Sequence, residues 1–538
     1  MIGAMRATMM DVPLTLTSIL DRAAALFPDI EIVSRRADRS VHRATYADFV
    51  DRSLRLASAL RAAGLQPGDR VATLMWNHLD HLATYFGVPC AGGVLHTLNL
   101  RLHPDELAYI ANHAGDRFII VDDVLLPLFA KFRARVPFEK VIVVGDRAAA
   151  GADVAWDDLL AGAAPDRAAL PELDERAPLG MCYTSGTTGE PKGVVYSHRS
   201  TVLHSLAVMM ADGLGLGQRD TVLPVVPMFH ANAWGIPFGA IAAGAKLVMP
   251  GPHLDAPSLL DLMASERVTI AAGVPTIWAS ILEQLERAPR ALTPGCRMVV
   301  GGSAAPEAML RAFDRHGLTV IHAWGMTETS PIGSVSYLRT TDATGDVDGQ
   351  YAARARQGYP CAMVDIRAIG DSGPVPWDDR TQGELQVRGP WVASSYHAQP
   401  GAADRWTADG WFRTGDVVTL SAHGSIRIVD RTKDLIKSGG EWISSIELEN
   451  ALTAHPAVRE AVVVAVPHDK WGERPLAAVV LREGAAVTAD ELKAVLAAKF
   501  VKFWVPDAVV FIDAIPKTST GKHLKSAVRD RFKDHAWE

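Results

Sequence analysis

Residues 183–193 read Tyr-Thr-Ser-Gly-Thr-Thr-Gly-Glu-Pro-Lys-Gly, so Thr184, Ser185, Thr187 and Thr188 place four hydroxyls around Gly186 and Gly189, and Lys192 follows. Such a stretch can wrap backbone N–H groups and hydroxyls around a chain of phosphates, with the lysine as a point charge. A Walker A loop needs G-x-x-x-x-G-K-[ST]; here the glycines precede Lys192 at a different spacing, which argues against a P-loop kinase or ATPase. A Ser/Thr/Gly run taken alone also describes a flexible surface loop.

Four more stretches are rich in groups that could meet a nucleotide: 299–306 (VVGGSAAP), 322–331 (HAWGMTETSP), 411–416 (WFRTGD) and 516–522 (PKTSTGK). With 183–193, and in this order, they resemble the motifs of the ANL superfamily of adenylate-forming enzymes: acyl- and aryl-CoA synthetases, nonribosomal-peptide adenylation domains and beetle luciferases. The resemblance spans roughly residues 40 to 525. It implies that Gly302, Ser303 and Ala304 line an adenine pocket and that the 322–325 stretch (His322, Ala323, Trp324, Gly325) carries the aromatic that stacks on adenine. Thr327 would hold the α-phosphate, Thr184 and Glu328 would contact Mg²⁺, Asp416 would grip the ribose hydroxyls and Lys522 would be the catalytic lysine. Core packing also accounts for Trp324, and a turn or N-cap role for Asp416.

Adenylation lets a carboxylate oxygen attack the α-phosphorus of ATP while diphosphate leaves, through a transition state crowded with negative charge. Positioning and electrostatic stabilisation do most of that work. Hard oxygen ligands, one of them anionic, suit a magnesium ion that keeps most of its waters. Lys522 would bridge the carboxylate and phosphate oxygens. The cofactors implied are therefore ATP and Mg²⁺, with coenzyme A as co-substrate.

The segment 438–444 (SGGEWIS) matches the place where CoA-forming relatives bring a glycine-bearing strand, here Gly439 and Gly440, to the pantetheine tunnel. A missing side chain lets a thin chain pass close to backbone. The acid is addressed by 226–235 (VPMFHANAWG), which with TMMD at 8–11 resembles bacterial medium- and long-chain fatty-acyl-CoA synthetases of the soluble, dimeric type. That branch implies a gating role for Trp234 beside Ala231, a lid role for His230, and nucleotide contacts from Arg431, Lys433, Lys437 and Trp442. It also implies domain swapping through the N-terminus and hence a homodimer. Met and Trp without a charged partner suit an apolar tail, and packing explains the same residues. A sister group with similar motifs activates short acids such as 3-(methylthio)propanoate. From another class, an adenylating enzyme with a carrier-protein acceptor or an acyl-AMP-dependent oxygenase would share the phosphate-binding motifs.

The elements that must hold these residues are legible as alternating short β-branched runs and helical stretches. Runs at 70–75, 117–121, 140–144, 245–249, 268–271, 297–300 and 318–321, several followed by a turn and a helical pattern, imply parallel sheets covered on both faces. Residues 1–430 are thus expected to form a large α/β body carrying the ATP and acyl pocket. From 431 to 538 the pattern is that of a compact α+β unit: helices at 447–453 and 489–500, and strands at 460–466, 476–481 and 508–512. The charged segment 430–434 (DRTKD) reads as the linker, with Lys433 as the pivot implied by the resemblance and an ordinary charged turn as the alternative. A small mobile domain carrying Lys522 has a purpose when two half-reactions share one site.

Composition sets the outer bounds. The 538 residues exceed what one core serves, and 48% hydrophobic with 21% charged residues is a soluble globular balance. A net charge of −7 argues against a nucleic-acid binder. Cys90, Cys182, Cys296 and Cys361 are widely spaced, which fits a reduced, cytoplasmic protein. Arg6, Asp11 and Pro13 interrupt any signal-peptide core, and no run reaches the roughly 18 apolar residues of a membrane span.

Overall fold

The structure, a computed structural model, describes residues 7–145, 153–184, 190–343, 345–439, 441–518 and 522–537. Among these, four sheets carry the fold. The largest runs Tyr359–Pro360, Ile332–Val335, Thr319–Gly325, Arg297–Val300, Ile270–Gly273, Thr221–Pro224, Lys246–Met249, Glu31–Arg35 and Val41–Thr45. Its centre is parallel, from Glu31–Arg35 through to Thr319–Gly325. A second sheet is parallel through Val154–Ala155, Lys140–Val144, Asp116–Asp122, Arg70–Leu74, Val94–Thr97 and Pro178–Tyr183, and ends in the antiparallel strand Gly193–Ser197. Strands buried on both faces read as continuous Val/Ile/Leu runs, which is why these elements stand out in the sequence.

Within the large sheet, Thr221–Pro224 lies between Lys246–Met249 and Ile270–Gly273, so the chain leaves it to one side and returns on the other. Such a switch point opens a crevice at the carboxyl ends of the strands. The pairing Val300↔His322 aligns two neighbouring strands, followed by the turn at 301–304 on one and, three residues further along the other, the turn at 326–330. The helix Glu307–Arg315 and the helix Pro275–Arg287 pack over a core that includes Trp278, Leu310 and Phe313.

Within the α/β body, Asp365–Gly370, Gly373–Pro374, Gly383–Arg388, Phe412–Leu420 and Ile426–Arg431 form a separate antiparallel sheet. Short meander strands need only tight turns, so no intervening helical pattern announces them. Asp430 and Arg431 are paired in the strand Ile426–Arg431, and Asp430 is buried.

The C-terminal unit holds a sheet ordered Glu441–Ile443, Ile436–Ser438, Gly472–Leu481 and Val458–His468, with Ala508–Phe511 also paired to Gly472–Leu481. The helix Ser445–Thr453 is capped by Ser444, and Ala489–Ala497 carries a capping box from Thr488 and Glu491. Among the described residues no helix is long and apolar enough to cross a membrane.

Candidate active site

The carboxyl ends of Arg297–Val300 and Thr319–Gly325 open onto a cavity of about 270 Å³. At one end stand Thr184, Lys192, Glu328 and Tyr396. The Thr184 N–H donates to the Lys192 carbonyl at 2.9 Å and the Lys192 N–H to Thr184 Oγ1 at 3.1 Å, which closes the neck of the 183–193 segment. Ser185, Gly186, Thr187, Thr188 and Gly189 lie outside the described residues. Glu328 is 5% exposed, and Tyr396 donates its hydroxyl to Glu328 Oε1 at 2.5 Å. Lys192 Nζ sits 5.1 Å from the centre of the Tyr396 ring. Thr327 is held through its carbonyl, which accepts from the Tyr196 hydroxyl at 2.9 Å.

The middle of the cavity joins two sheets. Trp324, 7% exposed, lies close enough to Gly333 that a β-carbon there would stand 2.5 Å from its ring. Its indole N–H donates to Asp416 Oδ2 at 2.9 Å, while Arg431 Nε donates to Asp416 Oδ1 at 3.1 Å. Asp416 is paired within Phe412–Leu420 and 2% exposed, so it is neither a turn residue nor an N-cap. Its charge raises the pKa of Arg431.

Lys522 enters this cavity from the C-terminal unit. A β-carbon on Gly302 would lie 3.1 Å from Lys522 Cε, and Gly302 has φ +85°. The lysine leaves a small hairpin in which Lys517 and His523 pair and the Lys522 carbonyl accepts from the Thr518 N–H at 2.7 Å. Three residues on, Lys525 is buried against Glu449 at 2.8 Å, which fixes the following helix Lys525–Phe532 to the core of the unit. Burial, together with the Arg431 charge, pushes Lys522 down to about 8. His230 is pushed down to about 3 by burial and then by the positive charges of Lys522 and Arg101, so it is neutral at pH 7.

The far wall is built from an unusual turn. Ala231, Asn232, Ala233, Trp234 and Gly235 all have positive φ, from 41° to 70°. Left-handed backbone costs a non-glycine residue roughly 1–2 kcal/mol, so four in succession require strong tertiary support. That support is polar and buried. Asn77 donates to the carbonyls of Pro224 and Val226 and accepts from the Met228 N–H. The Tyr85 hydroxyl meets the Met228 carbonyl and Asn232 Oδ1, which the Cys182 thiol also approaches at 3.3 Å. The turn lays Trp234 across Gly301, where a β-carbon would stand 2.9 Å from the indole.

A cavity that gathers the Thr184–Lys192 neck, the buried Glu328 and Trp324 and a lysine from the C-terminal unit calls for comparison with known proteins. The AMP-binding enzyme pattern matches residues 20–397, and the AMP-binding enzyme C-terminal domain matches residues 447–522. The chain belongs to the AMP-binding enzymes. It is 48% identical to a long-chain-fatty-acid–CoA ligase of Thermus thermophilus over 536 residues, covering 99% of this chain and 98% of that one. It is 44% identical to a 3-methylmercaptopropionyl-CoA ligase of Ruegeria pomeroyi over 540 residues, covering 98% and 99%. Among solved structures, ATP-bound MatB from Rhodopseudomonas palustris superposes with a TM-score of 0.83 at 26% identity, covering 97% of this chain and 99% of that one.

In this AMP-binding enzyme, most residues singled out from the sequence line one cavity: Thr184, Lys192, His230, Ala231, Trp234, Gly302, Ala323, Trp324, Gly325, Thr327, Glu328, Arg431, Lys433 and Lys522. Asp416 reaches it through Trp324 and Arg431. His322 is buried behind, against the Ala355 carbonyl. Ser303, Ala304, Lys437, Gly439 and Trp442 are not among the lining residues, and Trp442 is 45% exposed with Lys437 over its ring. Gly440 lies outside the described residues. Sequence reasoning missed Gly301, Tyr396 and Arg405; the GG pair in 299–306 could have pointed to Gly301, whereas nothing in 396–405 does.

Proposed function

We propose that this enzyme is an AMP-forming acyl-CoA ligase that activates a medium- or long-chain fatty acid. The observation that carries the reading is Lys522, delivered from the C-terminal unit into the cavity that also holds Thr327, Glu328 and Trp234. In the first half-reaction a carboxylate oxygen bonds to the α-phosphorus and the α–β bridging P–O bond breaks, with diphosphate taking the electron pair. Lys522 holds carboxylate and phosphate oxygens together, Thr327 supports the α-phosphate, Trp324 faces adenine and Asp416 with Arg431 meets the ribose. Thr184 and Glu328 offer a hydroxyl and a carboxylate, hard donors suited to Mg²⁺, which when bound neutralises phosphate charge.

In the second half-reaction the CoA thiol gives its proton to solvent and its sulfur bonds to the acyl carbon, while the bond from that carbon to the phosphate oxygen breaks and AMP leaves with the electron pair. Lys522 lines the cavity whereas Lys437, Gly439 and Trp442 do not, which favours a second arrangement of the C-terminal unit. We therefore take residues 1–430 as the body and 431–538 as a domain that turns about Lys433, exchanging Lys522 for the glycine segment. His230 and Ala231 border the acyl group and Trp234 closes its path. A homodimer in the cytoplasm completes the reading.

Chain length is tested by the rate of acyl-CoA formation across acids from short to long. A rise toward medium and long chains supports a fatty-acid ligase. The 44% identity to a 3-methylmercaptopropionyl-CoA ligase favours a second reading, short acids, which a sharp short-chain optimum would establish.

A further inference from the structure

Arg405 ends the short turn Pro400–Arg405, ahead of the strand Phe412–Leu420, and lines the cavity with Lys192, Glu328 and Tyr396. Its guanidinium carbon sits 5.4 Å from the centre of the Phe412 ring, and one terminal nitrogen donates to the Thr414 carbonyl at 3.3 Å. Its Nε is buried without a hydrogen-bond partner, and among the described residues no Asp or Glu is ion-paired to it. An arginine carries five donors in a fixed fork matched to phosphate oxygens, and this half-buried one spends a single donor on the protein among the described residues, on the Thr414 carbonyl.

Its neighbours say which anion. Among the described residues the lining contains five cationic side chains, Lys192, Arg405, Arg431, Lys433 and Lys522, against the single carboxylate Glu328. Arg431 is committed to Asp416, and Lys522 lies against Gly302 on the far side. Arg405 stands between Gly415, whose added β-carbon would be 3.9 Å from its terminal nitrogen, and Tyr396, the partner of Glu328. Its positive charge is felt by the Tyr396 hydroxyl.

Resting on the adenylation reading above, we propose that Arg405 binds the phosphates of ATP beyond the α-phosphorus and remains on the diphosphate as it leaves. The Phe412 ring and the Thr414 carbonyl hold the guanidinium in place for it. Arg405 is then a binding residue for the leaving group and has no task once acyl-AMP has formed.

The experiment uses the full chain and Arg405→Gln, with Arg405→Lys as the conservative variant. Four quantities are measured: the ATP KM, inhibition by inorganic diphosphate, inhibition by AMP, and the rate of thioester formation from supplied acyl-AMP and CoA. Loss of one charge-assisted contact predicts that Arg405→Gln raises the ATP KM and the diphosphate inhibition constant each by about tenfold, with Arg405→Lys recovering part of it. AMP inhibition and the thioester step stay at the wild-type level. An equal loss of AMP affinity would assign Arg405 to the nucleoside monophosphate and overturn the proposal, as would unchanged diphosphate affinity with a lowered melting temperature. Wild-type enzyme that shows no acid-dependent ATP–diphosphate exchange would instead overturn the adenylation reading and the proposal with it.

Discussion

The indole N–H of Trp324 and the guanidinium Nε of Arg431 take opposite oxygens of Asp416, at 2.9 Å and 3.1 Å. One carboxylate thereby ties the strand Thr319–Gly325 of the large sheet to the antiparallel sheet, whose strand Ile426–Arg431 leads into the C-terminal unit. Replacing Trp324 by Phe keeps the aromatic face and removes the donor. Loss of a hydrogen bond to a charged group is worth about 1.5–3 kcal/mol, so Trp324→Phe is expected to raise the ATP KM by about tenfold or more, while kcat for thioester formation from acyl-AMP is unchanged. Steady-state ATP titrations check this.

Lys522→Ala removes the cation that reaches across to Gly302. By the scale of lost oxyanion donors, adenylation should fall by about 10²–10³-fold. Thioester formation from supplied acyl-AMP and CoA should survive if, as proposed, the C-terminal unit turns to present a different face for the second half-reaction. Equal loss in both half-reactions would count against the domain turning about Lys433.

The same lysine sets a pH dependence. Burial and Arg431 hold its pKa near 8, so it carries its charge below that pH and loses it above. The kcat/KM for ATP, which reports the free enzyme, should therefore decline as pH rises through about 8. In Lys522→Arg, whatever its absolute rate, that limb should vanish from the range, since arginine stays protonated. His230, already neutral above pH 3, should contribute no limb near neutrality.

The left-handed turn makes a stability prediction. Glycine accepts φ +55° at position 232 without strain, and alanine does not. Both substitutions lose the amide that meets Tyr85 and Cys182. Asn232→Ala should therefore melt below Asn232→Gly, a difference of about 1 kcal/mol that thermal unfolding resolves. An identical melting temperature for the two would mean that the turn relaxes.

Much of this was legible beforehand for physical reasons. Parallel strands such as Lys140–Val144 and Arg297–Val300 are buried on both faces and so appear as unbroken apolar runs. Thr184, Lys192, Thr327, Glu328 and Lys522 sit in turns whose hydroxyl and glycine content has no packing purpose, which exposes them to a reading for phosphate chemistry. Tyr396 and Arg405 lie in a stretch, YHAQPGAADR, with no spacing that marks them; tertiary packing, against Cys182, Val194 and Tyr196 for Tyr396 and against Phe412 and Thr414 for Arg405, brings them to the cavity. The turn at Ala231–Gly235 was hidden because only Asn232 and Gly235 tolerate its backbone locally, and Asn77 and Tyr85, distant in sequence, impose it on the rest.

The account stands or falls on the acceptor. Purified enzyme with ATP, Mg²⁺ and a medium-chain fatty acid should release AMP slowly until CoA is added, and then form AMP, diphosphate and acyl-CoA in equal amounts. AMP release at the same rate with and without CoA, with no thioester formed, would contradict it.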